Sequence, residues 1–117
     1  MPTVGRMEAI ESRARRAMSV GLNDVAYAYA WMAIQELLND LTLQHGLKTA
    51  EVPLGQAVRE LVFRGIVPRE AFDTVEQART VRNRLVHAEQ GPLLSAADVE
   101  GLLALNRRLR DEVAAAG

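Results

Sequence analysis

The chain has 117 residues, 49% of them hydrophobic, which suffices for one domain with a modest core and leaves no room for a second. Its 14 basic and 15 acidic side chains give a net charge of -1, so no global field favours nucleic acid and any such site has to be a local patch. With no cysteine and two histidines lacking ligand spacing, the chain offers neither a disulfide framework nor a zinc pattern, and no metal and no cofactor are expected. No apolar run approaches the roughly 20 residues of a membrane span, and the Arg-rich start lacks a signal-peptide core. The expectation is a soluble cytoplasmic protein without a membrane partner.

Residues 6–19 carry Met7, Ile10, Ala14, Ala17 and Met18 at helical spacing against Arg13, Arg15 and Arg16. This thin stripe reads as an N-terminal helical extension over 1–22 that packs on a neighbour or a second subunit, its arginines forming a solvated face. Gly21 and Asn23 offer a helix stop and a fresh N-cap, with a kinked continuous helix as the alternative. The next helix, from about Asp24 to Gln44, has Tyr27, Trp31, Ile34, Leu37, Leu38 and Leu41 on one side and Val25, Tyr29, Met32 and Leu43 opposite. A helix apolar on two faces is either central or part of an oligomer interface. Glu36 lies in the lighter of those faces. His45 and Gly46 read as the helix end, its dipole accommodating the imidazole.

Residues 48–53 read as a loop, and 54–64 as a short helix with Leu54, Val58, Leu61 and Val62 inward, closed by Gly65 as a left-handed cap before Pro68 starts the next helix. If 68–89 is one helix, about 100° per residue places Phe72, Val75, Ala78, Val81, Leu85, Val86 and Ala88 on one arc, with Arg82 near its middle. A cation aimed at a core needs a carboxylate, and Glu36 is the candidate structural partner. Asn83 and His87, four residues apart, share a flank on which an amide can orient an imidazole. Gln90-Gly91-Pro92 ends this helix. Ser95 to Asp98 forms an S-x-x-D capping box for a last helix whose inner face is Val99, Leu102, Leu103, Asn106, Leu109 and Val113. With no strand alternation and no internal repeat, the expected fold is all-α: an antiparallel bundle of four main helices over 23–117, preceded by the extension.

The pattern Arg82-Asn83, three residues, His87, in the third main helix of such a domain, resembles the HEPN superfamily. The order of a Trp/Leu-rich helix, a Leu-Gly-Gln helix ending in Arg-Gly-Ile-Val-Pro, then Val-Arg-Asn-Arg-Leu-Val-His-Ala and a Ser-Ala-Ala-Asp-Val-Glu helix is similar to small bacterial HEPN-type domains, over about Asn23 to Val113. The resemblance implies a homodimer with a cleft between protomers in which RNA is cleaved without metal: Arg82 stabilising phosphorane charge, His87 as general acid/base and Asn83 orienting one of them. A guanidinium is a permanent phosphate clamp and an imidazole titrates near neutrality, so the chemistry stands on its own terms. Arg79 and Arg84 flank the motif as candidate RNA phosphate contacts. Where toxin members of the family carry a tyrosine two positions after the histidine, this chain has Glu89, which speaks against the toxin form. The alternative the resemblance leaves open is a non-catalytic module that binds a nucleotide, RNA or a protein partner and dimerises.

Overall fold

Glycines set the breaks between the first helices of this computed structural model, which describes residues 2–47, 53–86 and 94–116, and side chains for all of these but 2–4, 54, 84–86 and 116. Gly21 has φ 82° and Gly65 φ 74°, a left-handed backbone that strains any side-chain-bearing residue. At the first break Leu22 N–H donates to the Ala17 carbonyl at 2.9 Å and Gly21 N–H to Met18 at 3.1 Å, so the chain stops and restarts there instead of kinking. The same bond pair recurs from Ile66 to Leu61 at 2.9 Å and from Gly65 to Val62 at 3.0 Å. The resulting helices are α1 (Pro2–Ser19), α2 (Asn23–Gln44), α3 (Leu54–Phe63), α4 (Arg69–Val86) and α5 (Ala96–Ala116), with no strand among the described residues.

Two helix starts were legible in different degrees. The capping box forms as expected: Ser95 N–H donates to Asp98 Oδ2 at 2.9 Å, and Asp98 N–H to Ser95 Oγ at 3.3 Å. Asn23 is not the N-cap; Leu22 holds that place, and the Asn23 amide donates instead to the Leu94 carbonyl at 3.1 Å, tying the start of α2 to the approach of α5. The proposed end of α4 at Gln90-Gly91-Pro92 lies outside the described residues.

α2 is the central helix and packs on all four others. Trp31, Ile34, Leu37, Leu38 and Leu41 are buried on its heavy face, as their spacing predicts. The last helix contributes every residue expected of it: Val99, Leu102, Leu103, Asn106, Leu109 and Val113 are all buried. Asn106 is 0% exposed and both polar atoms of its amide lack a hydrogen-bond partner among the described residues. α1 is more than an appendage. Met7 and Ala14 are completely buried against α2 and α5, making it a wall of the core.

Helix directions follow from named contacts. Arg6 pairs with Glu36, and Arg15 with Glu100 at 2.7 Å, so α1 runs antiparallel to α2 and to α5. α3 and α4 form the expected antiparallel hairpin, with Gly55 beside Glu76 and Arg59 over Phe72. α2 and α5, however, run side by side in the same direction, because Asn23 reaches Leu94 and Gln44 Nε2 reaches the Val113 carbonyl at 3.3 Å. A uniformly antiparallel arrangement is therefore not what the chain adopts. No helix among the described residues is long and apolar enough to cross a membrane.

Candidate functional site

α4 carries Arg82 and Asn83 in its distal half. Its inner face is Ala71, Val75, Ala78 and Val81, all buried. Arg79, Arg82 and Asn83 are exposed, and Arg79 Nη1 donates to Glu76 Oε1 at 3.2 Å. The side chain of Arg84 and all of His87 lie outside the described residues, as do Leu85, Val86 and Ala88 of the apolar arc at the level of their side chains.

The expected core pair of Arg82 with Glu36 is not formed. Glu36 is held by Arg6 of α1, and Arg82 stands in solvent. The wheel angle was right for a straight helix with neighbours along its whole length, but α3 has 10 residues against 18 for α4. Gly55, in the first turn of α3, already faces Glu76 and Arg79, so Arg82 projects beyond the start of α3. At that level the neighbour lies on the side of Val81, which faces Tyr27 and Leu102 across a cleft.

On that side an open cleft of about 280 Å³ separates α4 from α5, lined among others by Tyr27, Thr74, Gln77, Val81 and Asp98. Burial, and then the charge of Asp98, push the Tyr27 phenol above its ordinary range, so its hydroxyl stays protonated at neutral pH. Thr74 Oγ1 donates to the Glu70 carbonyl at 3.0 Å, which leaves that hydroxyl oxygen as an acceptor facing the cleft. Among the described residues no three His, Cys, Asp or Glu side chains cluster as a metal site would require.

One charged centre went unread in the sequence. Glu11 is 9% exposed and accepts from Arg15 Nε at 3.1 Å, from Arg107 Nη2 at 2.9 Å and from Arg110 Nη2. Burial pushes its carboxyl up, but the hydrogen bonds from Arg107 and Arg15 and the charges of Arg110 and Arg107 outweigh it and hold the pKa below the ordinary carboxylate range. The signal was present: Glu11 continues the stripe Met7, Glu11, Ala14, Met18 at helical spacing, an acid on the buried side of α1. Arg107 and Arg110 are thereby committed to the α1–α5 seam, and Arg108 to Glu112 at 3.3 Å.

No protein-family model, curated protein or solved structure matches this chain.

Proposed function

We propose that the chain is a HEPN-type domain, with α2 to α5 as its bundle and α1 packed against it, that acts as a dimer and cleaves RNA without metal at Arg82, Asn83 and His87. The observation that carries this reading is the exposure of Arg82 and Asn83. A cation on the apolar side of a helix by sequence, and an amide on its flank, that both stand in solvent with no hydrogen-bond partner among the described residues remain available to a ligand. In this reading the ribose 2′-oxygen attacks the adjacent phosphorus and the 5′-oxygen leaves. His87 takes the proton from the nucleophile or gives one to the leaving oxygen, and Asn83 orients the reacting groups. Arg82 meets the charge that grows on the phosphoryl oxygens, where a planar guanidinium donates two parallel hydrogen bonds.

The test is cleavage of single-stranded RNA in the presence of a chelator by wild type and His87→Ala. The expected result is a loss of about 10² to 10⁴ in rate with an unchanged fold, products ending in a 2′,3′-cyclic phosphate, and DNA left intact because it lacks the nucleophile. Wild type no more active than His87→Ala across several RNAs would reject catalysis in favour of the binding module.

A further inference from the structure

The outer flank of α4 continues away from Arg82 and Asn83. Arg69, Phe72, Glu76, Arg79 and Asn83 recur at three- and four-residue spacing, and so share one flank over about 21 Å at 1.5 Å per residue. That flank meets Gly55, Gln56, Arg59 and Val62 of α3 across an open groove. Two cavities form the groove and share Arg59: one of about 400 Å³ toward Arg79, and one of about 320 Å³ toward Arg69 and Phe72. The Arg59 guanidinium lies over the Phe72 ring, 5.4 Å from its centroid. Phe72 is half-buried against the core, which fixes the ring, while Arg59 is exposed and presents its outer face to solvent.

We propose that this groove is the track along which a single RNA strand reaches the Arg82/Asn83 end of α4, a base stacking on the Arg59/Phe72 pair while Arg69 and Arg79 take backbone phosphates. The proposal rests on the RNA reading above. Three acids, Glu60, Asp73 and Glu76, line the same groove as the three arginines, so it is no general polyanion surface. Recognition then has to combine stacking with local phosphate contacts, which a single strand with unpaired bases provides and a duplex does not. Among the described residues neither Arg59 nor Arg69 is in an ion pair, whereas Arg79 holds Glu76. The Glu76 carboxylate lies close over the α3 backbone: a Cβ on Gly55 would come within 2.8 Å of its Oε1. It occupies the position on Arg79 that a phosphate takes, and RNA displaces it.

The experiment is fluorescence anisotropy of the full chain with a labelled 2′-O-methyl 12-mer, which lacks the nucleophile, at several salt concentrations, with cleavage of unmodified RNA read in parallel. Arg59→Ala is expected to weaken binding about 5- to 100-fold, the range of one lost stacking contact. Arg59→Lys should keep the salt dependence yet still weaken binding, and Arg69→Ala should reduce the salt slope by about one. Glu76→Gln should tighten binding. Melting curves establish that the variants are folded. Unchanged affinity in Arg59→Ala and Arg69→Ala, equal binding of a duplex, or no binding by wild type would each overturn the proposal. Binding lost in the groove variants of a wild type that never cleaves would keep the groove and reject the nuclease reading; cleavage that persists alongside unchanged affinity would do the reverse.

Discussion

Glu11 joins the two ends of the chain. Three guanidinium groups from α1 and α5 converge on one carboxylate whose side chain is 11% exposed, and Arg110, 13% exposed, is almost as buried. Removing the acid strands buried positive charge, a change that costs about 3 to 5 kcal/mol in comparable sites. Glu11→Ala is expected to sit at the lower end, because Arg107 and Arg15 are 54% and 37% exposed and water screens them. A fall of about 10 °C in melting temperature is the outcome to look for. The pH dependence follows from the sign of the shift. A carboxyl whose folded pKa is depressed contributes its full stability above its unfolded pKa and loses it as pH falls through the folded pKa, so the melting temperature should drop in that acid window and drop less in Glu11→Gln. Arg82 presents the opposite case: exposed, it should tolerate Arg82→Ala within about 0.5 kcal/mol, read as an unchanged melt. A large destabilisation would return Arg82 to a structural role and remove the support for the proposed site.

At the scale of elements, the helices were legible because their signals are local. Gly65 as a left-handed cap, the Ser95/Asp98 box and the inner face of α5 were each read from a few neighbouring residues and each formed. What α4 buries was legible only where a partner helix lies alongside. Val75 and Ala78 have neighbours and are 0% exposed; Arg82, seven residues after Val75 and so on nearly the same side, projects past the first turn of α3. Periodicity gives an angle about the axis and nothing about how far along the axis a neighbour extends. Gly101 yields a separate expectation. It sits inside α5 with nothing within 4 Å of where a Cβ would be, so Gly101→Ala should stabilise the protein by about 0.5 to 1 kcal/mol through helix propensity alone. Thermal denaturation should show a rise of a few degrees. A decrease would mean that the cleft lined by Gly101 closes more tightly than its geometry indicates.

At the scale of the molecule, α2 keeps its second apolar face uncovered. Val25, Met32 and Leu43 are exposed, with Val20 and Leu22 at the α1–α2 turn, while Tyr29 is half-buried. We expect this face to join two copies, as the proposed function requires. Light scattering should give twice 12.9 kDa at micromolar concentration, and Met32→Lys should shift it toward the monomer. A wild-type monomer at high micromolar concentration would reject both the dimer and any cleft that depends on it.

The sequence by itself determined the helices, most of their ends and which side of α2 and α5 is buried, because these depend on spacing and capping within a dozen residues. The polar break at Arg82 and Asn83 was also legible there, but not its surroundings. Only the tertiary structure decided that α1 belongs to the core, that α2 and α5 run in the same direction, and that Glu36 bonds Arg6 and leaves Arg82 to solvent. It also decided that Arg59, on one helix, covers Phe72 on the next. These are contacts between residues as far apart in sequence as Glu11 and Arg110. They follow from how long each helix is and where its neighbour begins, which no local pattern encodes.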